Sequence, residues 1–577
     1  MEQTVNTGKI WKLKPSHLEE ASFLSKSLQV SNTLAQLLVQ RGIETVEDAR
    51  YFLGNRLKDL SDPFLFEGMD RAVARIFQAL NKNEKVMVHG DYDVDGITGT
   101  ALLCDILKKI GINAQPYIPD RVSEGYGMSR EAIQKAVVEK IPLMITVDCG
   151  GTAFAEIEEA DRQGIDVIVV DHHELKNELP PSIAVIHPRR MTQKNHFHPL
   201  AAVGVAFKLA HGLVKRGLEQ KADWANKIDL KDFLDRVALG TVADLVPLKG
   251  ENRIFVKQGL ERLLKTECLG LSMLLKEIGL EGRSITTSDV GFKIAPRLNA
   301  AGRVGTAYDA VHLLLVKEKE KASTLAQTLD LSNRKRQELE QATYEEAADL
   351  LQAQTNGGED WVLVLHKEEW PLGVIGIVAS RILRLMHRPV FIISTEEGVS
   401  KGSARSIRGY HLCEALKSCE GLLEGYGGHA YAAGIKILRK KIPEFRERIN
   451  QHAHQVLSSD DLIPSLEIDL EIPLESVSLS FAQEVEKLGP FGQENSSPLF
   501  LTKELQLERE PYKVGKNHLK LHLKNKNNER VEGIAFGQAD LISQFSLSCP
   551  FQAVYEVAIN SYQRNMKPQL IFKDFKF

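Results

Sequence analysis

The stretch Val86-Met87-Val88-His89-Gly90-Asp91-Tyr92-Asp93-Val94-Asp95-Gly96 sets a histidine and then alternating aspartates directly after an apolar run. Carboxylates spaced this closely repel one another, and keeping them ionised together needs a compensating charge. Hard divalent cations, which favour oxygen ligands, supply it. An EF-hand calcium loop begins in a similar way, but requires a Glu at its twelfth position and flanking helices. Here the twelfth position is Leu102, and residues 86–89 read as a buried strand. The aspartates therefore sit at a strand-to-helix crossing. In an open parallel sheet such crossings lie at the carboxyl ends of the strands, where ligands collect.

Two more apolar runs end in the same way. Residues 143–147 lead into Asp148-Cys149-Gly150-Gly151, and residues 166–170 into Asp171-His172-His173. A further aspartate, Asp244, lies in the apolar stretch 239–247. Imidazole and carboxylate without thiolate suit manganese or magnesium, and admit zinc. Asp148, alone at its strand end, is the natural bridge between two ions. Two close divalent ions lower the pKa of a bridging water and neutralise charge on the transition state, which points to phosphoester or phosphoanhydride hydrolysis. An anionic substrate also needs cations and amides outside the metals. Candidates are Arg121, ahead of Ser123-Glu124-Gly125-Tyr126-Gly127, and Arg303, which follows Asn299-Ala300-Ala301-Gly302. Ser403, Arg405 and His429 are candidates from the second half of the chain.

The elements that hold these residues follow from periodicity. The chain has 577 residues, enough for roughly three to five domains at about 150 residues each. Its 43% hydrophobic content is that of a soluble globular protein, and its net charge of −4 leaves any nucleic-acid contact to local patches. The six cysteines form no CxxC pair and read as reduced thiols of a cytosolic protein. No leader pattern and no bilayer-length apolar run is evident, so a cytoplasmic protein without membrane attachment is expected.

Residues 1–75 read as a helical lead-in. From Lys85 strands alternate with helices, among them a helix over 97–110 closed by Gly111. This alternation implies parallel strands with right-handed crossovers. Residues 200–280 are mostly helical. Residues 309–355 read as a long polar helix or helix pair joining two lobes, with Arg334-Lys335-Arg336 as a solvated face. A second α/β unit begins near Trp361, with strands over 362–365 and 389–393 and a helix over 376–386. The glycine-rich Gly425-Tyr426-Gly427-Gly428-His429 closes it. After residue 465 short strands alternate, and His518, Lys520, His522 and Lys524 interleave with leucines. That period of two puts a basic row on one face of a strand, as a small oligonucleotide-binding (OB) barrel would use it. The expected fold class is α/β: two α/β lobes joined by a long helix, with a C-terminal OB-type β-barrel. The boundaries read as 1–75, 76–305, 306–355, 356–464 and 465–577.

These motifs together resemble the bacterial RecJ branch of the DHH phosphoesterase superfamily, single-strand-specific 5′→3′ DNA exonucleases. The likeness is carried by residues 89–96, Asp148-Cys149-Gly150, Asp171-His172-His173 and residues 240–248. In the second lobe it is carried by residues 402–406 and 427–434, which resemble a DHHA1 domain, and near the barrel by Gly489-Pro490-Phe491-Gly492. After Gly492 the family often has Gly-Asn-Pro, whereas Gln493-Glu494-Asn495-Ser496 stands here, which puts the local turn in question.

The resemblance implies one ion held by His89, Asp93 and Asp148, and another held by Asp95, Asp148, His172 and Asp244. It places Asp91 and His173 in support of the site or against the scissile phosphate. Arg121, Arg303, Ser403, Arg405 and His429 would hold DNA phosphates and set the 5′ end. It implies Mn2+ or Mg2+ as cofactor, single-stranded DNA as substrate, a single-strand-binding protein and a helicase as partners, and a role in DNA repair and recombination. A monomer is expected. The rival readings are a DHH-type phosphodiesterase for short oligonucleotides or cyclic dinucleotides, a pyrophosphatase, and a replication scaffold with a decayed site. The lead-in and barrel argue against the first two, and the intact donor set against the third.

Overall fold

The computed structural model describes residues 8–121, 123–191, 199–354, 360–396, 398–524, 530–560 and 566–577. The first lobe is built on a five-stranded sheet, all parallel. Its order is Asn113–Tyr117, Lys85–Gly90, Leu143–Val147, Asp166–Val170, Ala184–Ile186. Successive residues of Lys85–Gly90 face opposite cores: Val86 and Val88 pack into one, Met87 into the other. Both faces of the strand are buried, so it reads as a continuous apolar run rather than an alternating one. The chain first winds to one side of Lys85–Gly90 and then returns to the other. The switch point therefore falls between Lys85–Gly90 and Leu143–Val147, where a doubly wound sheet opens a crevice at its carboxyl edge. Asp91–Asp95 and Asp148 leave the sheet at that crevice.

The helix Val94–Ile110 starts there, capped by its own Asp93, whose side chain accepts from Asp95 N and Gly96 N. Gly111 ends it in the left-handed region at φ 107°. It packs against Ala202–Glu219 and Leu234–Ala243, which close the lobe. A Cβ on Gly96 would come within 2.6 Å of the Asp91 backbone nitrogen, so only glycine lets the helix start this close to the strand end.

The connector resolves into a short helix, Tyr308–Leu315, and a 36-residue helix, Lys319–Gln354. It is no free-standing rod: it packs on the first lobe through Leu269–Glu277 and Ala295–Val304 and on the second through Leu372–Met386. The solvated reading of Arg334-Lys335-Arg336 is therefore corrected at one position. Arg334 is exposed and pairs with Asp330, but Arg336 is buried, held by Asn333 and by Glu340 at 2.6 Å. Helical spacing turns Arg336 inward between the lobes, which a local charge run does not reveal.

The second lobe has a mixed sheet ordered Leu423–Gly428, Ala432–Leu438, Val399–Arg405, Val390–Glu396, Leu363–Glu368. Only the pair Leu363–Glu368 and Val390–Glu396 is parallel. Most of the glycine-rich stretch that closes this unit in the sequence is the edge strand Leu423–Gly428, paired antiparallel with Ala432–Leu438. The C-terminal sheet has seven strands, and a bridge between Leu507 and Leu523 draws it round into a barrel.

The lead-in belongs structurally to this barrel. Ile10–Leu13 pairs in parallel with Ser465–Ile468, and Leu24, Leu34 and Leu38 share one core with Leu519, Leu521 and Phe575. Among the described residues no helix is long and apolar enough to cross a membrane.

Candidate metal centre and phosphate groove

The carboxyl edge of the first-lobe sheet gathers the expected donors. The ligand atoms of Asp91, Asp93 and Asp148 lie within 4.8 Å of one another, as do those of Asp95, His172 and Asp244, and of Asp148, His172 and His173. His172 Nε2 stands at the middle, 3.2 Å from Asp148, 3.5 Å from Asp244 and 3.8 Å from Asp95. Asp148 is central to the first and third groups, and its backbone holds φ 65°, a left-handed conformation rare outside glycine. Such strain at a functional side chain fixes where its carboxylate points.

Electrostatics shows what this crowding needs. Burial first, and then Asp93, push Asp91 up to about 8 and Asp95 up to about 7. Burial and then Asp95 push Asp244 up to about 9. Asp148 is driven well above the usual carboxylate range by burial and by Asp93, Asp95, Asp91 and Asp244. His172 is pulled down to about 4 by burial and by His173, so it is a neutral imidazole with a free lone pair. Asp91 Oδ1, Asp148 Oδ1 and His172 Nε2 are buried with no hydrogen-bond partner among the described residues. Buried acceptors left unpaired are costly, and these converge on one space. The residues present fit divalent cations, which would satisfy all three and reverse the repulsion among the carboxylates.

Asp171 does not face that space. It accepts from Gly151 N, from His172 N, and from His173 Nδ1 at 2.9 Å. Burial works against its charge, but the hydrogen bond and charge of His173 outweigh it and hold Asp171 at about 2. His173 is raised in turn: burial opposes its charge, and the hydrogen bond to Asp171 prevails. Asp171 thus orients the His173 ring and anchors the backbone of both histidines.

His89 stands apart from the three donor groups. Its Nε2 faces Ser129 N at 3.4 Å, its Nδ1 faces Cys149 Sγ at 3.6 Å, and its ring stacks on Tyr117. In its place Asp91 joins Asp93 and Asp148. Asp95 carries a second duty, since its carboxylate accepts from Ala202 N and Val203 N at the start of Ala202–Glu219.

Outside the donors lies a cationic wall. Arg121 stacks over the Tyr92 ring at 5.1 Å. Arg303 reaches across the lobes to donate to Gly373 O at 2.8 Å. Burial lowers its pKa, and so do Arg121, Arg336 and Arg405, which places three other guanidinium groups within electrostatic reach of Arg303. Arg405 donates to Ser403 Oγ, and the two alternate on one face of Val399–Arg405. His429 is exposed just past the edge strand, and no side-chain bond ties it to the arginines.

Two contributors escape the sequence reading. Tyr126 reaches back so that its hydroxyl lies 3.1 Å from His173 and 3.2 Å from Asp148 O, and the glycines that flank it were the only local cue. Arg336 joins the arginines only because the connector helix packs inward. A groove of about 790 Å³ continues from Thr241–Val242 and Leu245 past Arg303 and Arg336 to Phe491 and Gly492. The turn after Gly492 is intact despite its departure from the family pattern. Gly492 and Asn495 bond each other's backbones, Asn495 Nδ2 donates to Leu488 O and Pro490 O, and Glu494 pairs with Lys249.

A parallel α/β lobe with aspartate and histidine donors at its switch point, a second lobe facing it with arginines, and a long helix between them define a DHH-type protein. Family profiles agree: residues 85–241 match the DHH family N-terminal domain, 359–455 the DHHA1 domain and 468–574 the RecJ OB domain. The chain belongs to the RecJ family. It is 38% identical over 568 residues to the single-stranded-DNA-specific exonuclease RecJ of Bacillus subtilis, which covers 98% of this chain and 70% of that protein. It is 33% identical over 553 residues to the RecJ of Escherichia coli, covering 93% and 94%. Its fold matches the crystal structure of Thermus thermophilus RecJ in complex with Mn2+ at a TM-score of 0.82 and 31% identity, covering 99% of this chain and 80% of that one. The same protein in complex with Mg2+ matches at 0.75.

Proposed function

We propose that this protein is a metal-dependent exonuclease that hydrolyses single-stranded DNA from its 5′ end and releases 5′-mononucleotides in DNA repair and recombination. The observation that carries the reading is near-full-length similarity to RecJ exonucleases combined with an uninterrupted donor set at the switch point. Asp91, Asp93 and Asp148 would hold one divalent ion, and Asp95, Asp148, His172 and Asp244 the other. When bound, two such ions activate water and neutralise charge on the phosphate undergoing attack.

The chain's own groups do the rest. His173, whose protonated form Asp171 favours, faces the same space and can donate to the scissile phosphate. Arg121, Arg303, Ser403, Arg405 and His429 would receive the 5′-terminal phosphates from the opposite wall. Arg303, bonded to the second lobe, keeps the two walls in register. Single-stranded DNA is the substrate, and a single-strand-binding protein and a helicase are the proposed partners of a monomeric enzyme. The deciding assay digests 5′-labelled and 3′-labelled single strands and duplex with Mn2+ or Mg2+. Early release of label as mononucleotide from the 5′-labelled single strand supports the reading; early release from the 3′ label, or equal digestion of duplex, refutes it.

Two expectations follow from the walls of the groove. Neutralising Arg121 and Arg405 together should flatten the salt dependence of single-strand binding by about 0.7 per lost phosphate contact in the logarithmic slope. A binding series across salt concentrations measures this, and an unchanged slope means neither guanidinium meets a phosphate.

The second concerns the barrel. Its basic row is real but partly neutralised: Lys520 pairs with Glu532 at 2.7 Å, and His522 is buried against Arg509 and Tyr512. Beside it Tyr512 and Phe536 are exposed rings, seated on His522 and His518. Base stacking on such rings contributes about 1–3 kcal/mol each. Tyr512→Ala with Phe536→Ala should weaken binding of long single strands by that order and leave dinucleotide hydrolysis unchanged. Equal losses on both lengths, read by anisotropy and product analysis, would take the barrel out of the DNA path.

A further inference from the structure

Lys401 lies on the same face of Val399–Arg405 as Ser403 and Arg405, yet the cleavage groove does not use it. Directly across from it stands Lys436 on one neighbouring strand and Ser394 on the other. The three side chains form a row over adjacent strands. Like charges directly opposite in an antiparallel pair are destabilising. Among the described residues no carboxylate pairs with either lysine. Ser394 is 1% exposed, and its hydroxyl has no hydrogen-bond partner.

All three line one cavity of about 800 Å³, together with Thr395, Leu372 and Arg439. Leu372 is the first residue of the 15-residue helix Leu372–Met386, whose N-terminal amides receive no side-chain cap. The cavity opens where the parallel strands Leu363–Glu368 and Val390–Glu396 end, the edge at which α/β sheets take ligands. Arg439 is ion-paired with Glu368 at the rim. An uncapped helix start, two uncompensated ammonium groups and a buried hydroxyl aimed into the same space make a phosphate cradle.

We propose that this cavity is a second phosphate-binding site, sharing no lining residue with the interlobe groove, and that its occupant is a nucleotide phosphate. Its volume suits a nucleotide rather than a bare ion. The phosphate sits between Ser394, Lys401 and Lys436, and the Glu369 carboxylate across the cavity accepts from the sugar or base. Two sources carry that chemistry: a free mononucleotide, such as the reaction proposed above releases, or a backbone phosphate of the DNA. Both sources rest on the proposed function, and the binding measurement depends on neither.

The test titrates the full chain, without divalent ions, with 5′-dCMP, inorganic phosphate, deoxycytidine and a long oligodeoxycytidylate. It compares the wild type with Lys401→Gln/Lys436→Gln and with Ser394→Ala. The double variant should bind at least one of the nucleotide ligands about tenfold more weakly, and cleavage of dilute single strands should be unchanged. Loss confined to 5′-dCMP assigns the site to the free nucleotide, and loss confined to the oligonucleotide assigns it to the strand. Equal binding by wild type and double variant overturns the site, and so does deoxycytidine binding as tightly as 5′-dCMP. Because cleavage is read in parallel, failure of the cavity is distinguishable from failure of the exonuclease reading.

Discussion

Asp148→Ala is expected to remove hydrolysis, lowering kcat by at least about 10³-fold, while single-strand binding persists. The size follows from position. Asp148 takes part in two of the three donor groups, its Oδ1 is buried without a partner, and its backbone is held at φ 65° to aim it. Alanine would remove the one carboxylate placed between both clusters. Binding should survive because Arg121, Arg303 and Arg405 are untouched, and because one negative charge fewer faces the DNA. Asp148→Asn separates charge from shape: it keeps the side-chain volume and should lose nearly as much activity. Calorimetric titration with Mn2+ supplies a readout apart from turnover, and the stoichiometry should fall in both variants. Retained Mn2+-dependent cleavage by Asp148→Ala would refute the site.

Local chemistry was largely legible in the sequence, and long-range packing was not. The strands Leu143–Val147 and Asp166–Val170 fall where near-continuous apolar runs place them, because strands buried on both faces are apolar along most of their length. The donors Asp91, Asp93, Asp95, Asp148 and His172 come together because each follows such a strand, and a parallel sheet aligns its carboxyl ends. Asp244 was legible only as a charge inside an apolar helix. The place of His89 was not: it lies one residue before the end of Lys85–Gly90, but its ring turns toward Tyr117 and Cys149, and no residue count gives a rotamer.

The inward turn of Arg336 and the docking of the lead-in on the barrel were not legible, for a different reason. Their partners lie far along the chain, as in the pairing of Ile10–Leu13 with Ser465–Ile468, and a single sequence holds no record of which exposed-looking residues meet.

Arg253→Met should cost about 4 kcal/mol or more, and should loosen the joint between lead-in, first lobe and barrel. Arg253 is 1% exposed, and among the described residues no carboxylate pairs with it. Its guanidinium donates instead to five carbonyls: Phe52 from the lead-in, and Lys487, Leu488, Gly489 and Pro490 from the barrel side. It also lies 3.7 Å above the Phe52 ring. Burial, and then Arg41, press against its charge. The carbonyls at the end of the helix Leu479–Glu486 offset that cost, since a helix C-terminus carries partial negative charge.

Methionine fills the space but takes the guanidinium donor from Phe52 O, Lys487 O and Gly489 O, at about 1–3 kcal/mol for each one left unpaired, whereas Leu488 O and Pro490 O keep Asn495 Nδ2. Lysine restores the charge but not the planar fork, so Arg253→Lys should recover only part of the loss. Hydrogen exchange should quicken at residues 487–495, and with it the turn that carries Phe491 and Gly492 into the groove. Binding of long single strands should then fall more than hydrolysis of dinucleotides, because the metal centre lies wholly within the first lobe. A melting temperature and an exchange pattern that match the wild type would show that the carbonyls find other partners, and that the joint does not depend on this guanidinium.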